Sequence, residues 1–271
     1  SSELLERRPG RWPVLRSLLR EGAGTLRAEV GSLPLDPPAV LATIGTGGLP
    51  RQHGITGALL RNDAGEVVEA WGPGGPVPVI AALGDDLDAR SGQAARVGLV
   101  GGDRSERGVI GGNWYLRNDR DDIRIDPGST AAEQAAAASR LMGSGFGADG
   151  TPDLLAAVLE GGIRAMDRAT ARLIGAARRA SGGAFAVVVT ATGRYDRDAV
   201  PAEEVLAEVP TPSGGIVAAT PGGLFLDPQA LNRADVPEDR LAAALEGVRD
   251  GGQLLIADAF PGFAVSLARY C

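Results

Sequence analysis

Residues 185–190 read FAVVVT, with Gly182 and Gly183 before the run and Gly193 after it. A short, apolar, β-branched run bounded by glycine predicts a strand buried on both faces, the kind a parallel sheet uses. Upstream, residues 163–180 and 152–159 predict helices, and residues 96–100 (RVGLV) predict a second short buried strand. Downstream, residues 224–226 predict a strand, 237–248 a helix and 254–257 a further strand. Strands alternating with helices argue for an α/β chain, a three-layer sandwich whose mostly parallel sheet carries helices on both faces. No internal repeat and no long polar linker divides the sequence, so residues 1–271 are expected to form a single domain.

Nearer the N-terminus, Leu15, Leu18 and Leu19 have helical spacing, and Gly22 is a natural stop. Residues 31–56 are rich in Pro and Gly but hold a short apolar helix over 38–44. Pro37-Pro38 suits its start, because proline needs no amide partner there. Residues 57–71 read as a hairpin turning at Asn62-Asp63-Ala64-Gly65. Residues 77–90 and the alanine-rich 130–142 predict helices. Between them, residues 101–130 are charged and irregular, which suits a mobile or lid-like insertion.

A chain of 271 residues is long enough to bury a substantial core. With 40 glycines and only 4% aromatic residues, that core must rest on Ala, Val, Leu and Ile. Every basic side chain is Arg; the dominance of Ala, Arg and Gly fits the codon bias of a GC-rich bacterium. The net charge of −7 argues against nucleic acid and anionic membranes as partners. The one cysteine, Cys271, allows no intrachain disulfide and suits a reducing, cytoplasmic compartment. No apolar run reaches the roughly 18 residues a membrane span needs, and the charged residues 1–8 do not resemble a secretory signal.

Chemistry is bounded by counting. His53 is the one histidine, so a catalytic di-zinc site of the usual type, HExxH and mixed Cys/His sites are excluded. A phosphate-binding loop lacks its lysine, and neither GxGxxG nor GxSxG occurs in context. The polar side chains concentrate in three loops. One holds Ser32, Asp36, Thr43, Thr46, Arg51 and His53; the second is 150–153 with Asp153; the third holds Thr192, Arg194 and Asp196. Loops at the carboxyl ends of parallel strands form a ligand crevice, and hydroxyl, carboxylate and Arg groups there suit a polar or anionic ligand. Asp36 and His53 are the candidate catalytic pair. Ser32, Thr46, Arg51, Asp153, Thr192 and Arg194 are the candidate ligand contacts, with Trp114 and Tyr115 as a stacking platform. Each also has a plainer role. His53 can cap its own turn, Asp36 and Asp153 can cap helices, Asp167-Arg168 can pair between helices, and the aromatic pair can anchor a loop. No metal and no cofactor is expected.

Residues 42–57, ATIGTGGLPRQHGITG, resemble the signature of the type I phosphodiesterases and nucleotide pyrophosphatases of the alkaline phosphatase superfamily: a Thr-Gly, a proline and an HGI-like tripeptide. In the same order follow Thr151-Pro152-Asp153, then Arg164-Ala165-Met166-Asp167-Arg168, and then 187–193 (VVVTATG), similar to the family's strand that ends in Asp-His-Gly. The resemblance covers roughly residues 13–60 and 150–260 and implies an alkaline-phosphatase-like fold. The departures fall on the metal chemistry. The family's Ser or Thr nucleophile falls on Asp36-Pro37, its histidine after Asp153 is Ala157, and its Asp-His pair is replaced by Thr192. The expectation is a degenerate member, a pseudoenzyme without a metal site, that binds a small polar or anionic molecule or a protein partner. The alternatives are a repurposed metal-independent enzyme using Asp36 and His53, and a metal-dependent phosphodiesterase with other ligands.

Overall fold

A computed structural model describes residues 9–26, 36–62, 64–112, 114–115, 120–192, 202–220, 223–256 and 258–262. Contacts divide the chain into two compact units, Ser1–Arg194 and Tyr195–Cys271. No shift in composition marks that boundary.

In the first unit, after a 3-10 turn at Pro9–Arg11, the elements run α1 (Pro13–Glu21), α2 (Pro37–Thr46), α3 (Pro50–His53), β1 (Leu59–Arg61), β2 (Val67–Glu69), α4 (Leu83–Ser91) and β3 (Val97–Gly101). A 3-10 helix (Arg104–Val109) then leads to β4 (Asp122–Ile125), α5 (Ala131–Gly143), β5 (Leu154–Ala157) and α6 (Ile163–Ala180). β3 is buried throughout and lies at the centre of a parallel sheet in the order β4-β3-β5.

Period-two alternation sorts the strand side chains onto two faces. Val97 and Leu99 pack with Ile110, Leu87, Ile123, Ile125, Leu154 and Ala156. Val100 packs on the other face with Ala138, Leu141, Phe146, Leu155 and Ala157. Helical segments thus cover both faces: α4 and the 3-10 helix on one, α5 and α6 on the other. At Gly98 a Cβ would stand 2.9 Å from both Leu155 Cδ1 and Phe146 Cζ, so its absence lets these two side chains pack against the strand. α5 starts where its sequence says it should: Thr130 caps it, and the Glu133 carboxylate accepts in return from the Thr130 amide at 2.8 Å. α1 is tied to α6 by the Leu15 amide, which donates to Asp167 at 2.9 Å.

Several expectations hold. The helices over 38–44, 130–142 and 163–180, the strand over 96–100 and the antiparallel β1–β2 hairpin are all present. Others are corrected. Residues 152–159 hold strand β5 in place of a helix. Leu and Ala favour helices, but the segment is short and pairs with β3, and tertiary pairing overrides that weak preference. Residues 185–190 form no strand and stand exposed, with Val188 89% accessible. A β-branched run specifies a strand only where a neighbouring edge pairs with it, and among the described residues none does. Residues 77–82 precede α4 as irregular chain with a bend at Val79-Ile80. The stretch 101–130 is no insertion, since it contributes β4 to the sheet.

The second unit comprises α7 (Ala202–Ala207), β6 (Ile216–Thr220), β7 (Gly223–Leu226), α8 (Pro228–Ala234), α9 (Glu238–Gly247), β8 (Arg249–Asp250) and β9 (Gln253–Leu254). Val209, Leu231, Leu241 and Val248 form its core, and Asp227 caps α8 through the Gln229 and Ala230 amides. The predicted strand 224–226 and helix 237–248 are found. They do not extend a parallel sheet, because β6–β7 and β8–β9 are antiparallel hairpins. Among the described residues no helix is long and apolar enough to cross a membrane.

Candidate functional site

Because β3, β4 and β5 are parallel, the three loops that leave their carboxyl ends lie at one edge of the sheet. The loop from β3 leads to the 3-10 helix on one face, and the loop from β5 leads to α6 on the other. Loops that diverge to opposite faces from adjacent strands leave a crevice between them, the usual ligand position in such sheets.

Backbone bonds fasten this edge. The Asp126 amide donates to the Gly101 carbonyl at 3.0 Å, and the Ala131 amide to the Glu160 carbonyl at 3.2 Å. Asp103 caps the 3-10 helix, accepting from the Ser105 amide at 2.7 Å. Glu106, three residues on, folds back beneath the loop. Its Oε2 accepts from the Gly102 amide at 2.9 Å and the Asp103 amide at 3.3 Å. The Glu106 residue is 5% exposed. Burial pushes its carboxyl up to about 7; the two amides oppose this, and the negative charges of Glu160 and Asp103 add to it. Both amides fall on Oε2, which leaves Oε1 to carry the proton.

Gln134, on α5, stands beside Gly102 and is 1% exposed. Its Oε1 accepts from the Glu160 amide at 3.0 Å, which fixes the amide orientation, and its Nε2 has no partner. A side chain placed at Gly102 would have its Cβ 3.6 Å from that Nε2 and 3.5 Å from Glu160 Oε1, so the two groups border the same space. Ser129 Oγ, in the loop leaving β4, is a second buried polar atom without a partner. Buried donors left unmade are costly, and a ligand is one reason for a fold to keep them.

The sequence candidates lie elsewhere or serve the fold. His53 is fully buried at the end of α3. Its Nδ1 accepts from the Ile55 amide at 3.1 Å, so Nε2 bears the hydrogen and donates to Thr43 Oγ1 at 3.0 Å. Burial lowers its pKa. Asp36 precedes α2 without a capping hydrogen bond; instead its Oδ2 accepts from the Ala58 amide at 3.1 Å. Burial raises its pKa and the Ala58 amide opposes the rise. Asp36 and His53 thus bond to different backbone groups. Thr46 closes α2, donating to the Ala42 carbonyl at 2.6 Å and accepting from the Gly48 amide at 3.1 Å. Arg51 is exposed.

Asp153 stands before β5 and therefore at the amino end of the sheet, opposite the crevice. It accepts from the Arg96 amide at 2.7 Å and the Gly147 amide at 2.5 Å. The Arg96 guanidinium there pairs with Asp122 at 2.5 Å and lies 4.5 Å over the Phe146 ring. Trp114 and Tyr115 are half-exposed. The Trp114 amide donates to Asp85 at 3.2 Å, and the Tyr115 hydroxyl donates to Asp86 at 3.0 Å. Trp114 lines a small cleft with Trp71, Val77, Ile80 and Gly112. Thr192 is half-buried; Ser32 and Arg194 lie outside the described residues.

The metal site that the phosphodiesterase resemblance implies does not fit these residues. Both ring nitrogens of His53 are engaged, both oxygens of Asp153 hold backbone amides, and the two are on different elements. Among the described residues no three His, Cys, Asp or Glu side chains are grouped as a metal ion requires. The sequence reading passed over Glu106, Gln134 and Glu160. The signal that points to them is Gly101-Gly102 after a buried strand, followed by Asp103 and Glu106 at capping-box spacing. Comparison with models of known protein families, with curated proteins and with solved structures finds no match to this chain.

Proposed function

We propose that this chain is a binding protein for a small polar ligand, held without a metal in the crevice where β3 and β5 end. Its scaffold is related to that of the alkaline phosphatase superfamily. The 42–57 motif supports the relationship, and a three-stranded parallel sheet with helices on both faces fits the α/β class in general. The observation that carries the ligand reading is the unpartnered, buried Gln134 Nε2 facing the space beside Gly102. The acidic charge and the one cysteine support a cytoplasmic protein that does not bind nucleic acid.

A second reading, metal-independent acid–base catalysis, is favoured by one observation. A carboxyl that titrates at about 7 beside a second carboxylate is poised to give and take a proton near neutral pH. In that reading Glu106 takes the role the sequence assigns to Asp36 and His53. Turnover of p-nitrophenyl glycosides or esters, lost in Glu106→Gln, distinguishes it.

Gly102 supplies the test of the binding reading. A Cβ there meets its neighbours at ordinary contact distance, and Gly102→Leu, with its fold checked by circular dichroism, fills the crevice. Thermal unfolding is followed with myo-inositol, glucose, inorganic phosphate, putrescine or magnesium chloride. At least one of these raises the wild-type melting temperature in a saturable manner, and Gly102→Leu abolishes the rise. If none stabilises the wild type, or if the variant responds equally, the reading is wrong.

A further inference from the structure

Resting on that crevice reading, we infer that the ligand is a neutral polyhydroxylated molecule, a polyol or sugar, held by hydroxyls that bridge Gln134 Nε2 to the carboxylate of Glu160. The argument is one of complementarity. The crevice presents a buried amide donor, the unpartnered Gln134 Nε2. It also presents an acceptor, the exposed Glu160 carboxylate.

An anion would accept from Gln134 but would meet Glu160 and Asp103 at close range, a like-charge approach that costs binding. A cation would satisfy the carboxylates and leave the Gln134 N–H orphaned in a buried place, losing the desolvation cost of that donor. A hydroxyl does both, because it donates to a carboxylate and accepts from an amide. Gln134 Nε2 and Glu160 Oε1 flank one point, at 3.6 and 3.5 Å from the Cβ position of Gly102, so neighbouring hydroxyls of one ligand can reach both. The Ser129 hydroxyl, buried without a partner at the same end of the sheet, can serve either way.

The test uses the full-length, uniformly 15N-labelled protein. The side-chain amide signal of Gln134 is assigned by its loss in Gln134→Glu, which keeps the acceptor for the Glu160 amide. Myo-inositol, xylitol and glucose are titrated separately, and then inorganic phosphate, magnesium chloride and putrescine. The expected result is a saturable shift of the Gln134 signal with at least one polyol and none with the charged probes. Glu160→Gln replaces one exposed carboxylate and retains the melting temperature. It weakens polyol binding about tenfold, the effect of one hydrogen bond to a charged acceptor. A saturable shift with phosphate, magnesium or putrescine and none with a polyol overturns the polyol assignment and leaves the crevice reading standing. Polyol binding that survives unchanged in both Glu160→Gln and Gly102→Leu overturns the assignment as well. If no probe moves the Gln134 signal, both the assignment and the crevice reading fall.

Discussion

Replacing Glu106 by Gln tests the burial argument through pH. Gln keeps an acceptor for the Gly102 and Asp103 amides and removes the ionisation. In the folded protein the Glu106 carboxyl is raised from 4.5 to about 7. An acid raised on folding favours the protonated native state. Its contribution is therefore complete below the unfolded value of 4.5 and is lost as pH rises through about 7. The full shift corresponds to about 3 kcal/mol, and solvent reaching the crevice reduces this to roughly 1–2 kcal/mol. Glu106→Gln should match the wild type at pH 4, and at pH 9 it should exceed it by about 1–2 kcal/mol. Urea unfolding read by tryptophan fluorescence is the assay, since Trp12, Trp71 and Trp114 all lie in the first unit with Glu106. A variant destabilised equally at both pH values would refute the reasoning. It would mean that Glu106 acts through packing or an unseen partner and not through a buried ionisation.

Other outcomes follow from the same geometry. Asp153→Ala should cost about 2–3 kcal/mol in urea unfolding, because two partly buried backbone amides lose their charged acceptor. His53 should remain neutral in its Nε2–H form below its ordinary 6.5, visible as imidazole nitrogens that do not shift as pH passes 6.5 in an NMR titration. Because its pKa is lowered on folding, the stability it contributes is present above 6.5 and lost as pH falls. Leu99→Ala, at a fully buried position in the central strand, should cost about 2–5 kcal/mol by chemical denaturation.

The parts of the fold that the sequence discloses are those where local chemistry and burial agree. RVGLV at 96–100 is apolar, β-branched and central, and it forms β3. The alanine-rich run after Ser129-Thr130 carries its own cap and becomes α5. The failures come from partners that no local window contains. LLAA at 154–157 has helix-forming residues and becomes a strand because β3 offers an edge. FAVVVT at 185–190 has strand-forming residues and, among the described residues, no edge that pairs with it. That exchange also moves the site. With a helix at 152–159, Asp153 falls in a loop beyond a strand; with a strand there, it stands at the opposite end of the sheet from the crevice. For Glu106 the capping-box spacing after Gly101-Gly102 marks the position, but the roles of Glu106 and Gln134 are hidden for a related reason. Their meaning lies in burial and in an unsatisfied amide, and neither is written in residue type or spacing.

The central claim is that binding in this fold proceeds without the metal chemistry its motif suggests. Its most direct test is metal content of the purified protein by elemental analysis, paired with turnover of bis-p-nitrophenyl phosphate before and after addition of zinc or manganese. The account predicts no stoichiometric metal and no turnover under either condition. Near-stoichiometric metal, with turnover that a chelator removes, would contradict it and restore a phosphodiesterase.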